Sequence, residues 1–404
     1  MTMKGFLPAA ISLILMGCGG GGGSSASDTT TSLSTASFSD AALATCVSDT
    51  GAASLESIVA LECQGKGIKD LSGIEVLTSM YILDISDNEL STLNLSGMTK
   101  LSSIYATNNL LESVSLPQST ELQYLGLSNN LLTHIDVSSS SELLVFNAGS
   151  NSLSSIDLSE NSKLETLTLD DNNISNLDLS RNPLLKELNI NENQISDLDL
   201  SSNTALISVF AYSNKISTIT EPNSNTLDSL ILGDNQLSSI DLSQNTEVTQ
   251  LTLSDNNLSS LDVSTLPNLD FLDISGNTVG NIDLSQNTSL EILDVSSTSA
   301  TSIDISNNPK LYSLIVSSNQ LTSIDLSNNP KLVWLSAALN QLTSVDLSNN
   351  PQLEYFTGWS NQITSISFTS NPKINSIGLI NNPLNDDTKA HLETLKSNGV
   401  TVSY

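Results

Sequence analysis

An asparagine returns every 21 residues along most of this 404-residue chain, at Asn88, Asn109, Asn130, Asn151, Asn172, Asn193, Asn214, Asn235, Asn256 and Asn277. Thr298 interrupts the series without shifting it, and Asn319, Asn340, Asn361 and Asn382 resume. A unit of 21 residues cannot bury its own apolar side chains, so it has to stack on its neighbours, and the two or three rounded domains that the length alone would suggest are excluded. Fifteen such units run from Met80 to near the C-terminus, and one of 22 residues from Ile58 precedes them. With aromatics at 4% and charges at 14%, the composition suits one long strip of core made of stacked ladders.

Within a unit, Leu167-Thr168-Leu169 alternates as a short strand does, two side chains inward and one outward, and strands stacked at one register form a parallel sheet. The asparagine follows where the chain must leave the sheet. Its amide carries donors and an acceptor able to satisfy backbone groups of its own and adjacent turns. The second half, as in Leu321-Thr322-Ser323-Ile324-Asp325-Leu326-Ser327, alternates again and returns apolar groups to the same core. The run Leu164-Glu165-Thr166-Leu167-Thr168-Leu169-Asp170-Asp171-Asn172-Asn173-Ile174 resembles the leucine-rich-repeat signature. The fold class is therefore a leucine-rich-repeat solenoid of about 16 coils, with parallel strands on a concave face and short extended or irregular return segments.

A stack exposes raw core at both ends unless it is covered, so residues 38–57 and 386–404 are expected to be caps on a solenoid of residues 58–385. Asp40 to Cys46 reads as a helical turn over the first coil. Asp386 to Ser397 reads as an amphipathic helix carrying Ala390, Leu392 and Leu395, stopped by Gly399, with a last strand at Val400-Thr401-Val402. The stretch Leu-Glu-Cys-Gln-Gly-Lys-Gly-Ile-Lys-Asp-Leu-Ser-Gly-Ile from Leu61, running into Asp-Asn-Glu-Leu at Leu90, resembles internalin-like bacterial surface proteins. That resemblance covers residues 38–404 and implies a binding scaffold whose sheet face meets the ligand.

Residues 1–17 have the form of an export signal, with Lys4 ahead of an apolar run from Phe6 to Met16 that is too short to span a membrane. Leu15-Met16-Gly17-Cys18 resembles the lipobox of bacterial lipoproteins, which implies cleavage before Cys18 and a lipid on that cysteine. Gly19 behind it implies outer-membrane sorting in a Gram-negative cell. The five glycines from Gly19 to Gly23 and the Ser/Thr/Ala/Asp stretch after them make residues 18–37 a flexible tether. In an oxidising compartment the other two cysteines, Cys46 and Cys63, are a natural disulfide pair, the alternative being two buried free thiols. The net charge is −30, and loss of the signal removes only Lys4, so nucleic acid and anionic lipid surfaces would be repelled.

No zinc-protease helix, phosphate-binding glycine loop or nucleophile elbow is present, and the two histidines, His134 and His391, are isolated. The sequence points to no catalytic residue, no cofactor and no enzyme. What it offers is columns, because any position repeated at 21 recurs in the next coil about 4.8 Å away. One column is acidic: Asp136, Asp157, Asp178, Asp199, then Asp241, Asp262, Asp283, Asp304, Asp325 and Asp346, with Thr220 in the gap. Stacked carboxylates repel unless they are hydrogen-bonded, protonated or bridged by a cation. The favoured reading has each one fixing its turn by accepting from the following serine or backbone, so that no metal is assigned; calcium bridging is the other.

The second feature is aromatic. Outward strand positions hold Tyr105, Tyr124, Phe210, Tyr212, Phe271, Trp334, Tyr355 and Trp359, while several inward positions shrink to Ala106, Ala211, Ala337 and Gly358. Either the rings bend into the vacated room or they form a binding surface. The expectation is a surface centred on Trp334, Tyr355 and Trp359, with Phe210, Tyr212 and Phe271 as a second patch. The chain then reads as a monomeric, lipid-anchored envelope protein, at the outer membrane or cell surface, that holds a protein or glycan and touches membrane only through its lipid. A spacer with no dedicated ligand is the rival.

Overall fold

The computed structural model describes residues 37–404, so Cys18 and the expected signal and tether through residue 36 lie outside the described residues. Seventeen strands of three residues each form one parallel sheet. Ala60 pairs with Ile82, an offset of 22, and from Ile82↔Ser103 to Tyr355↔Ser376 every step is 21, with Leu83, Ile104, Leu125 and their successors in one inward file. The solenoid expected from the spacing is the fold that forms. Only the middle residue of each strand and the residue after the strand turn inward, as Leu167 and Leu169 do, both fully buried.

The asparagines explain why the chain can leave so short a strand. The Asn235 Nδ2 donates to the carbonyls of Ala211 in the previous coil (2.9 Å) and of Leu232 and Gly233 in its own (3.1 Å each), while its Oδ1 accepts from the Ile216 N–H at 2.9 Å. Each such side chain thus ties two coils and stands in for turn bonds the backbone cannot make. The residue ahead of it sits in the left-handed region, as Asp234 does at φ 53°. In the coil with Thr298 the Oγ1 donates to the Val295 carbonyl, and Gly280, at φ 71°, donates its N–H to the Thr298 carbonyl. That backbone bond carries the link between coils where the amide is missing.

A second buried asparagine file runs along the return side. Asn182, fully buried, donates to the carbonyls of Leu158 (3.2 Å) and Asn161 (2.9 Å), and Asn203, Asn308, Asn329, Asn350 and Asn371 repeat the arrangement. The return segments are otherwise irregular, apart from two short parallel pairs, Thr92–Asn94 with Ser113–Ser115 and Asp197–Asp199 with Thr218–Thr220.

At the N-terminal end helix α1 (Ala41–Asp49) begins one residue later and runs three residues further than the turn expected from Asp40, whose carboxylate caps it by accepting from the Ala42 and Leu43 N–H groups. Leu43, Cys46 and Val47 enter the core, and Cys46 is disulfide-bonded to Cys63 with their Cα atoms 5.8 Å apart. At the other end helix α2 (Asp386–Ser397) buries Leu392, and Thr401–Ser403 adds the last strand beside Ser376–Gly378.

Candidate functional site

Strands this short leave four outward positions per coil: the residue before the strand, its first and third residues, and the residue two places past its end. These positions are the sheet face. Trp334 and Tyr355 are first residues of adjacent strands in direct register, and their rings lie 5.0 Å apart and tilted by 31°. Their contact covers part of the pair, yet Trp334 keeps 41% of its surface in solvent.

Trp359 is not on that strand, which ends at Thr357; it lies two residues further on, beside the left-handed Ser360, and is 40% exposed. The hydroxyls of Ser336 and Thr357, 2.9 Å apart, and Gly378 in the next coil lie along the strand position between the two tryptophan columns. Two apolar ridges therefore flank a low polar floor. Ile380, 21 residues past Trp359, extends that ridge, and Tyr312, 21 residues ahead of Val333, stands on the column just before the strands, next to that of Trp334; both are exposed and sequence reasoning missed both. That column position was the available signal.

The remaining rings divide. Tyr105 and Tyr124 stack at 4.4 Å, the Asn147 Nδ2 donates to the Tyr124 hydroxyl, and burial pushes both phenols up in pKa. Tyr124 lies flat over Gly126, where an added Cβ would come 3.1 Å from the ring. Tyr212 leans over Gly233 in the same way. Phe210 and Phe271 are three coils apart, on strands separated by Ser229–Ile231 and Gln250–Thr252, so Phe210, Tyr212 and Phe271 are not one patch. The room inside is taken by other rings: fully buried Phe356 occupies the space that a Cβ at Gly358 would need and packs against Phe368 at 5.7 Å, and Phe146 is buried beside Ala148.

The aspartate column lies on the return side, and each carboxylate accepts from the N–H of the serine two residues on, at 2.9 or 3.0 Å, from Asp136 and Ser138 to Asp346 and Ser348. Hydrogen bonds from that serine, backbone first in Asp157, Asp241, Asp283 and Asp346 and hydroxyl first in the other six, hold these acids below the usual carboxylate range. At the gap marked by Thr220, Glu221 reaches across instead and accepts from the Asp241 N–H at 2.8 Å. Among the described residues no group of three or more Asp, Glu, His or Cys is arranged to hold a metal ion, and no helix is long and apolar enough to cross a membrane.

Stacked parallel strands, asparagine ladders and an exposed sheet face define a leucine-rich-repeat solenoid of the internalin type. The functional domain of InlJ from Listeria monocytogenes superposes with a TM-score of 0.79 at 31% identity, over 85% of this chain and 78% of that one, and the chain belongs to that family of bacterial leucine-rich-repeat proteins. The domain of InlJ includes a cysteine ladder, whereas this chain has no cysteine after Cys63 and stacks asparagines. A leucine-rich-repeat protein of Leptospira interrogans (TM-score 0.75, 21% identity, 87% of this chain and 96% of that one) and YopM from Yersinia enterocolitica (0.68, 24%, 85% and 81%) share the fold. By sequence, no family model and no curated protein matches.

Proposed function

We propose that this protein is a lipid-anchored binding protein of a bacterial cell envelope, held by a lipid on Cys18, whose sheet face grips a ligand through Trp334 and Tyr355 with Trp359 on the opposite ridge. The observation that carries the reading is the exposed Trp334 in tilted contact with half-buried Tyr355 on the face of a rigid scaffold. Aromatic surface left in water is costly unless it is used, and tryptophan and tyrosine dominate interface hot spots and sugar-stacking sites. A protein ligand fits the family's use as an interaction scaffold, and the glycan reading rests on the stacking chemistry alone. Lipobox and tether support attachment at the outer membrane or cell surface.

Both tryptophans of the chain lie in this patch, so intrinsic fluorescence reports on it directly. Candidate surface proteins and glycans added to the mature protein should shift the emission when they bind. Trp334→Ala should weaken that binding by about 2 kcal/mol or more and leave the melting temperature nearly unchanged. A loss of about 3 to 5 kcal/mol in stability with binding intact would identify the ring as core filler and end the proposal. For the anchor, Cys18→Ser should release the protein from membranes; a variant still partitioning with them would refute it.

A further inference from the structure

The same face carries a charge pattern that the aromatic pair does not explain. Across eight coils, from Asp228 to Ile380, the outward sheet-face positions hold six acids, Asp228, Asp270, Asp273, Glu291, Asp294 and Glu354, and not one lysine, arginine or histidine. The lysines of this half, Lys310, Lys331 and Lys373, stand in the return segments, just ahead of the residues at 311, 332 and 374 that point into the core.

The acids are also placed against one another. Asp270 and Glu291 lie one residue before the adjacent strands Phe271–Asp273 and Ile292–Asp294, and Asp273 and Asp294 are register partners at their ends. Burial, then the charges of Glu291 and Asp228, push Asp270 up in pKa, and burial does the same to Asp294, with Asp273 adding to it. None of these residues is in an ion pair; those among the described residues are Lys69–Glu89, Lys163–Glu142, Lys186–Glu165 and Lys396–Glu393. Between the two acidic files run Phe271 and Ile292, in the same strand column as Trp334 and Tyr355.

We infer that the ligand of this face is a polypeptide that presents, on one side of an extended segment, both cationic and apolar side chains, laid across the strands from Phe271 to the Trp334–Tyr355 pair. The inference rests on the proposed binding role of that pair and adds the partner's chemistry. Charge complementarity selects such a segment: ammonium or guanidinium groups relieve carboxylates that have no counter-charge of their own, and apolar groups cover the central column. Nucleic acid and anionic polysaccharide are repelled by the same acids. Four register steps of about 4.8 Å separate Phe271 from Tyr355, a distance spanned by about six extended residues.

The test uses the mature protein and two labelled synthetic peptides of about eight residues, one repeating Arg-Arg-Leu-Leu and the other Glu-Glu-Leu-Leu, so that either face of the extended peptide carries both kinds of side chain. Fluorescence anisotropy should show the arginine peptide bound and the glutamate peptide not. Asp270→Asn, Glu291→Gln and Asp294→Asn combined should weaken binding about tenfold or more. The control triple Asp283→Asn, Asp304→Asn and Asp325→Asn removes as much charge from the return side and should change it less than about threefold, because its distance from the face approaches the screening length. Equal weakening by the two triples, or equal binding of the two peptides, would overturn the inference. If Trp334→Ala abolishes binding of the arginine peptide while neither triple does, the aromatic surface stands and the basic partner falls. If the sheet-face triple alone abolishes it, the charge reading stands without the ring pair.

Discussion

Replacing Asn235 by alanine tests what the ladder contributes, and the structure allows the cost to be worked group by group. The Ala211 carbonyl would keep a bond from the Asn214 Nδ2 (3.3 Å), the Leu232 carbonyl one from the Asn256 Nδ2 (2.9 Å), and the Gly233 carbonyl one from the Ser213 N–H (3.0 Å). The Ile216 N–H, in a fully buried residue, would be left with no acceptor, since it donates to the Asn235 Oδ1. One orphaned buried donor costs about 1 to 3 kcal/mol, and the weakened bonds to the three carbonyls add to that, giving about 2 to 4 kcal/mol in all. The assay is urea denaturation of the mature protein followed by far-UV circular dichroism, comparing Asn235→Ala with Asn235→Thr. Threonine should recover part of the loss, because in the coil of Thr298 a hydroxyl already bonds the Val295 carbonyl. A loss below about 0.5 kcal/mol for alanine, or threonine no better than alanine, would refute the reasoning that these amides replace turn hydrogen bonds.

Two further predictions concern the N-terminal end and the carboxylates. The Cys46–Cys63 disulfide closes a loop of 17 residues, so Cys46→Ser with Cys63→Ser should lose about 3 kcal/mol, read as early hydrogen exchange in α1 while the central coils stay protected; uniform exchange along the chain would contradict it. The pH dependence has two limbs. The ten column aspartates are depressed in the folded state, so their stabilisation is complete above the unfolded value near pH 3.9 and is lost as pH falls through the folded values. Asp170, Glu221, Asp270 and Asp294 are raised, burial being the first cause in each, so protonating them as pH falls from neutral stabilises the fold. Thermal stability should therefore rise as pH falls from neutral toward the unfolded carboxylate values near pH 4 and fall below them; a steady decline from pH 7 downward would show that the buried acids are not under strain.

The coil architecture was legible because two independent signals agreed, the 21-residue asparagine file and the inward alternation around Leu167 and Leu169. Less visible was how side chains settle once alternation has assigned them a side. Sequence places Tyr124 and Trp334 equally outward, but Gly126 lets the first lie down on the sheet, whereas Ser336, at the matching position beside Trp334, carries a side chain of its own. The small residue at 358 reads in the sequence as room for an outward ring and is in fact made small by inward Phe356, as Ala148 is by Phe146, a compensation readable two residues upstream. The second asparagine file stands in the same Asp-Leu-Ser-x-Asn run as the aspartate column, but only burial and the bonds to carbonyls of the previous coil show that Asn182 and Asn203 tie coils together. Alternation places Trp359 on a strand that ends before it, because three-residue strands stop sooner than alternation suggests.

A register that advances by 21 from Ile82 to Ser376 also constrains how such a gene can change length. Removing one whole unit would lay the coil before it against the coil after it with every inward leucine, both asparagines and the left-handed residue meeting their counterparts, so the molecule would shorten by about 4.8 Å and otherwise close up. A deletion of one or two residues in a strand would instead put leucines in water and leave the amides opposite the wrong carbonyls. Unequal crossing-over in whole units is thus the tolerated form of variation. It would move the tryptophan ridges nearer to or further from the N-terminal helix while leaving them intact.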